Sequence, residues 1–242
     1  GVLRGEVDGL VALFRGERIT YWERYSSPGH TLYDVHNRLG AAVAAALLEP
    51  GQVVLELGAG LGSAARALAA TAEAAGVRPA AYGVTDANRR FAQRAARALS
   101  REMPALNVWF AAVDFDRALT EQGIAPQSQD LVYACNALHC AADLLATLRE
   151  IRRVLRPGGH LVLSECARPT VDSVLHQEMI FLLLDSYRNV RLDPVLRPVC
   201  GFLLPENWLA LLEEVGFRSV GLVTNQLSPG DPLLGVVVWG TA

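Results

Sequence analysis

The sequence predicts an α/β fold built on a largely parallel sheet. Three observations carry that prediction. Apolar, strand-like runs alternate with helical patterns along most of the chain, the first run enters a glycine-rich turn that opens a helix, and a short turn separates the last two runs. Strands separated by helical segments need right-handed crossovers and therefore lie parallel. Two strands joined by a short turn lie antiparallel.

The elements follow in order. Residues 52–58, QVVLELG, read as a strand, and SAARALAATAEAAG as a helix closed by Gly76. A short strand at 80–86 precedes a helix near 87–101, and strands are expected at 106–114 and 130–136. From 142 to 159 an amphipathic helix carries Leu144, Leu148, Ile151 and Leu155 on one face and stops at Pro157 and Gly158. A strand at 160–165 follows. PENWLALLEEVGF reads as the last helix, and RSVGLVTN and LLGVVVWG as the closing antiparallel pair around LSPGDP. Two segments stand outside the alternation, residues 1–50 and about 166–204. They are expected to be lids over the carboxyl edge of the sheet, leaving 51–242 as the core with the second lid inserted in it.

Composition narrows the function classes. A length of 242 residues suffices for one full α/β core, and 51% hydrophobic against 19% charged residues marks a folded chain. A net charge of −3 gives no support for a nucleic-acid or anionic-membrane partner. No apolar run reaches the length of a membrane span, and no signal peptide is visible. Cys135, Cys140, Cys166 and Cys200 form no C-x-x-C pair, so reduced thiols in a cytoplasmic protein are expected. The start at Gly1 and the apolar strand at the end read as a segment of a longer polypeptide.

The chemistry begins at the glycines. Gly58, Gly60 and Gly62 recur at every second position, with Glu56 two residues ahead of the first. Glycines after a first strand let the backbone turn tightly and let a ligand approach without a Cβ in the way. The helix behind them offers free N–H groups and the positive end of its dipole. A nicotinamide fingerprint spaces its glycines G-x-G-x-x-G, and here the third arrives one residue early, which disfavours an oxidoreductase. Acids close the second and third strands at Asp86 and Asp114.

E-x-G-x-G-x-G, the two strand-end acids and the terminal antiparallel pair together resemble the class I S-adenosylmethionine-dependent methyltransferases over about residues 50–242. The resemblance implies a Rossmann-like seven-stranded sheet with the last strand antiparallel. It puts Gly58, Ala59 and Gly60 against the methionyl part of the cofactor and Glu56 near its ammonium group. Asp86 would accept from the ribose hydroxyls, and Asp114 with Phe115 would hold the adenine. Gly62, Ala87 and Asn136 complete the implied set. The ammonium, the ribose diol and the exocyclic amine of that ligand are donors, and the site supplies carboxylates. No His/Asp/Glu cluster has metal-ligand spacing, so no metal is expected.

The stretch YACNALHCAADLLATLREIRRVLRPGGHLVLSE resembles the fourth-to-fifth-strand region of methyltransferase domains in modular polyketide and nonribosomal synthases. It supplies Asn136, Leu138, His139, Asp143, Pro157, Gly158, Gly159 and Glu165 of that pattern. The resemblance implies a His139–Glu165 general-base dyad just past the ends of adjacent strands. Histidine titrates near neutral pH and can take a proton as the methyl moves, while a carboxylate on its other nitrogen fixes the tautomer. Tyr25, Tyr33 and His36 in the first lid candidate, and Arg188 and Arg191 in the second, are lower-ranked candidates for the substrate. Arg188, Arg191 and Arg197 lie close enough in sequence to meet a phosphopantetheine arm or an acidic carrier protein, or else to be solvated.

The expected activity is O-methylation of a hydroxyl, β-hydroxyl or enol, on a carrier-bound polyketide intermediate, with neighbouring domains of a megasynthase as partners. The preference for oxygen over carbon rests on the roughly 50 residues ahead of the first strand. C-methylation of a β-ketoacyl chain, O-methylation of a free small molecule, and a degenerate binding module are the alternatives.

Overall fold

In the computed structural model, residues 2–4, 6–18, 20, 21, 31–226, 228 and 231–242 are described. Tyr25, named above, lies outside them.

Seven strands form one sheet: β1 (Val53–Glu56), β2 (Ala81–Asp86), β3 (Val108–Ala112), β4 (Gln129–Cys135), β5 (Leu155–Cys166), β6 (Arg218–Thr224) and β7 (Gly235–Thr241). Their order across the sheet is β3-β2-β1-β4-β5-β7-β6. β1 to β5 pair in parallel, and β7 runs antiparallel between β5 and β6, as the sequence predicts. The order reverses direction between β1 and β4, so the crevice at their carboxyl ends is where an open α/β sheet binds ligands.

Successive side chains of a strand face opposite ways, and both faces are covered. Leu131 and Tyr133 of β4 join a core with Val54 and the alanine-rich helices at Thr31–Leu47 and Ser63–Ala74. Val132 and Ala134 face the other core, with Leu148 and Ile151 of the Leu144–Val154 helix and with Trp208 of the Pro205–Val215 helix. The Thr31–Leu47 helix thus buries Ala41, Ala44 and Ala45 within the sandwich itself.

One boundary differs from the sequence expectation. The helix ends at Val154, and Leu155 already pairs with Gln129 in β5. Pro157 drives the preceding Arg156 out of the helical region, so the chain extends two residues ahead of the proline. Leu155 stays buried, now as a strand residue. Between β5 and the last helix, residues 167–204 hold two short helices, Glu178–Phe181 and Asp185–Arg188. Among the described residues no helix is long and apolar enough to cross a membrane.

Candidate active site

The three glycines all adopt left-handed backbone, with φ of 69°, 52° and 82° at Gly58, Gly60 and Gly62. A Cβ at Gly58 would sit 2.6 Å from the Ala137 Cβ, and one at Gly62 2.7 Å from the Ala95 Cβ. Gly58 therefore lets the first turn pass against the turn after β4, and Gly62 seats the following helix on its neighbour. The loop edges a cleft of about 190 Å³, also lined by Glu56, Ala59, Asn136, Tyr33 and Phe181.

Glu56 ends β1 inside the protein, 1% exposed, and its carboxyl accepts the Tyr82 hydroxyl at 2.9 Å. Burial pushes its pKa up to about 8; the Tyr82 hydrogen bond opposes that rise and the nearby Asp86 charge adds to it. A buried carboxyl at a cleft wall whose hydrogen-bond partners, the Tyr82 hydroxyl and the Ala65 backbone, are neutral is a fitting seat for a ligand cation. Asp86 ends β2 and accepts the N–H groups of Gly60 at 3.0 Å and Asn88 at 2.7 Å, one on each oxygen. Burial raises its pKa, and those two hydrogen bonds hold it back. Each oxygen keeps one further lone pair for a ligand hydroxyl. Ala87 follows it, exposed. Asp114 is tied at its N–H to Gln122 and accepts the Asp116 N–H at 3.0 Å, and the Phe115 ring faces the Gly58 turn.

Asn136 ends β4 at φ 49°, a left-handed conformation that asparagine tolerates better than most residues. Its side-chain oxygen accepts the Cys166 N–H at 2.9 Å and ties β4 to β5. The strained residue launches the short turn Leu138–Cys140 that carries His139.

His139 and Glu165 meet. Nδ1 of His139 lies 2.6 Å from Oε2 of Glu165, both side chains almost wholly buried. The other oxygen, Oε1, accepts the N–H groups of Ala137 at 3.1 Å and Leu138 at 2.8 Å. With two donors on Oε1, Oε2 is left to accept from Nδ1, which leaves Nε2 as the basic nitrogen. Burial works against the imidazolium, yet the Cys140 sulfur and Glu165 carboxylate outweigh it and raise the pKa of His139 to about 10. Phe202, Tyr187 and Phe181 wall the ring with edge contacts at centroid distances of 4.9, 5.8 and 6.4 Å.

The lower-ranked residues divide. Tyr33 lines the cleft. His36 is buried, with Nε2 3.3 Å from the Cys166 sulfur, and burial drives its pKa down to about 4, so it stays neutral. Arg191 is exposed and pairs with Asp143 at 2.9 Å, and Arg188 pairs with Asp185. Asp143 caps the following helix through the Ala146 N–H. Neither arginine reaches His139, whereas Arg197 is buried and donates to the carbonyls of His139 and Ala141. Sequence reasoning also missed a buried clasp in the insertion: Glu178 accepts from Arg168 at 2.6 Å, from the Tyr187 hydroxyl at 2.9 Å and from the Phe202 N–H at 2.8 Å. It fixes two of the three aromatic walls of His139. Among the described residues no group of three or more His, Cys, Asp or Glu is placed to hold a metal ion.

Known proteins align with this geometry. A family model described as a methyltransferase domain matches residues 55–161. The highly reducing polyketide synthase ctvA of Aspergillus terreus is 32% identical over 225 residues, covering 93% of this chain and 9% of that protein. The polyketide synthase PksR of Bacillus subtilis is 30% identical over 174 residues, 72% of this chain and 7% of that protein. The chain spans under a tenth of the length of these relatives. Among solved structures, the CurJ carbon methyltransferase superposes with a TM-score of 0.81 at 26% identity, covering all of this chain and 63% of that one. The DszA carbon methyltransferase gives 0.80 at 25%, again over the whole chain and 62% of that one.

Proposed function

This chain belongs to the class I S-adenosylmethionine-dependent methyltransferases, and on that premise we propose that it methylates the α-carbon of a β-ketoacyl chain carried as a thioester within a polyketide synthase. The observation that carries the reading is the buried His139–Glu165 pair, three residues past the cleft-lining Asn136 and in edge contact with the cleft-lining Phe181, with Nε2 as its basic atom. The choice of carbon is supported by similarity to two structures named as carbon methyltransferases, each over the whole chain. A base whose conjugate acid is held well above the ordinary histidine range suits a weak carbon acid better than an ordinary imidazole would. The expectation of an oxygen acceptor rested on length ahead of the first strand, which bears on no group in the site.

S-adenosylmethionine, when bound, supplies an electrophilic sulfonium methyl group. Glu56 would hold its ammonium, Asp86 its ribose hydroxyls, and Asp114 and Phe115 its adenine, with Gly58, Ala59 and Gly60 against the methionyl backbone. Nε2 of His139 would take the α-proton, leaving an enolate as the nucleophile for the methyl group, and Glu165 would stabilise the imidazolium so formed. Holding the two reactants in line supplies much of the remaining acceleration. Residues 167–204 act as a lid that excludes water and bring Phe181 to the cleft, which Tyr33 of the Thr31–Leu47 helix also lines. The carrier protein and the neighbouring synthase domains are the partners.

Intact-mass analysis of carrier protein loaded with β-ketoacyl or β-hydroxyacyl chains tests this. One methyl gained on the keto substrate, located by fragmentation on the α-carbon, is expected. A gain on the hydroxy substrate alone, or an enol ether, moves the acceptor to oxygen. No gain on either, with no calorimetric heat on cofactor addition, makes the domain a binding module.

Asp86→Ala is expected to raise the cofactor dissociation constant about tenfold to a hundredfold, from the loss of a charged acceptor worth roughly 1.5–3 kcal/mol. The Gly60 N–H loses its partner as well, so the loop that faces the cofactor loosens. An unaltered constant by calorimetry would place the ribose elsewhere.

A further inference from the structure

Residues 137–143, between β4 and the next helix, hold His139 in place almost entirely through partners distant in sequence. Oε1 of Glu165 accepts the N–H groups of Ala137 and Leu138, and Asp116 accepts that of Ala142 at 2.7 Å. Two carbonyls of the turn rest on one guanidinium. Nη2 of Arg197 donates to the carbonyl of His139 at 2.9 Å, and Nη1 to that of Ala141 at 2.5 Å. Arg197 is 2% exposed, and its Nε has no hydrogen-bond partner among the described residues.

A guanidinium taken out of water loses strong hydration, and neutral carbonyls return only part of it. Such a group raises the question of what its fixed geometry achieves. The hairpin that presents it is itself braced. Asp193 and Arg197 exchange backbone hydrogen bonds at 3.0 Å in both directions. The Asp193 carboxylate accepts the N–H groups of Val195 and Leu196 at 2.9 and 2.8 Å, and Asn207 of the last helix donates to the Val195 carbonyl at 2.9 Å. The insertion therefore reaches back and grips the catalytic turn by its backbone on one side, while its aromatic residues wall the ring on the other.

We infer that Arg197 is a positioning residue: by holding the carbonyls of His139 and Ala141 it sets the height and tilt of the imidazole between Glu165 and the cleft. The inference rests on His139 being the base. The planar fork aims one nitrogen at each carbonyl in a fixed geometry, whereas the ammonium of lysine is a single point on a flexible stem. A displacement of the turn by an ångström slides Nδ1 off Oε2 and turns Nε2 away from the acceptor carbon.

Arg197→Lys, Asp193→Ala and His139→Ala, each compared with the parent protein, test this with carrier-loaded substrate. Arg197→Lys is expected to lower kcat about tenfold or more, as a misplaced reacting group does. Its cofactor dissociation constant stays unchanged, and the rising limb of its pH–rate profile moves to lower pH as the Glu165 contact loosens. Asp193→Ala, at a half-buried site that leaves the guanidinium intact, shifts both quantities the same way by less. A loss of kcat that follows melting temperature while the limb stays in place makes Arg197 merely structural and overturns the inference. Wild-type kcat in Arg197→Lys beside an inactive His139→Ala overturns it alone. Wild-type turnover in His139→Ala overturns the base assignment and the positioning inference with it.

Discussion

Replacing His139 by alanine is expected to lower methyl transfer by about 10²–10⁴-fold while leaving the cofactor dissociation constant where it was. The separation follows from the geometry. The groups assigned to the cofactor lie on the turns after β1, β2 and β3, whereas His139 sits on the turn after β4, held by Glu165 of β5. Removing the imidazole leaves Oε2 of Glu165 buried with no donor, so a stability cost of roughly 1–3 kcal/mol accompanies the kinetic loss. His139→Asn separates the two effects, since its amide can donate toward Oε2 but cannot serve as a base. Single-turnover rates and thermal melts on both variants make the check. If His139→Asn recovers stability and stays inactive, the loss is chemical. Turnover near the parent rate in either variant removes His139 from proton transfer.

Much of this site was legible in the sequence because its signals are local. Glycine at 58, 60 and 62 reports positive φ and close approach, both of which the turn requires. An acid at a strand end lands on the carboxyl edge wherever the strand lies in the sheet, so Glu56, Asp86 and Asp114 needed no topology to be picked out. His139 and Glu165 required one more step, that β4 and β5 be neighbours, which the resemblance to synthase methyltransferase domains implied and the sheet order has. Arg197 was visible only as one of three nearby arginines. Nothing in its own neighbourhood tells it from Arg191, six residues away and exposed. The difference is a contact 58 residues distant along the chain, to the carbonyl of His139. The Glu178 clasp was hidden for the same reason: a buried ion pair in an irregular insertion has no periodicity to betray it. The early end of the helix at Val154 was written in the sequence at Pro157, but the buried leucine before it fits a helix face and a strand equally well.

Glu165→Gln is the second large effect, about a 10³–10⁴-fold fall in kcat, and its pH dependence identifies the cause. In the parent protein burial lowers the pKa of His139, but Cys140 and the Glu165 carboxylate outweigh it and raise the value to about 10. Only the neutral imidazole is a base. The rate therefore rises with pH through the range above 6.5 and levels once pH passes the raised pKa. Glutamine keeps the size of the side chain and removes the charge. One of the two groups that raise the pKa is then gone and only Cys140 still opposes burial, so the pKa falls and the rising limb moves to lower pH. More of His139 is neutral at pH 7 in the variant, so a simple titration argument predicts a faster enzyme. The tautomer reverses that outcome. The N–H groups of Ala137 and Leu138 claim the side-chain oxygen, which turns the amide NH₂ toward Nδ1. Nδ1 then accepts, the proton moves to Nε2, and the atom facing the acceptor is no longer basic, the same reason an amide in place of the triad carboxylate disables a serine protease. A large fall in kcat together with a limb displaced to lower pH is the expected pair of results. A large fall with the limb unmoved would mean that Glu165 acts only by bracing the turn. A displaced limb with kcat preserved would mean that the proton leaves through a group other than His139.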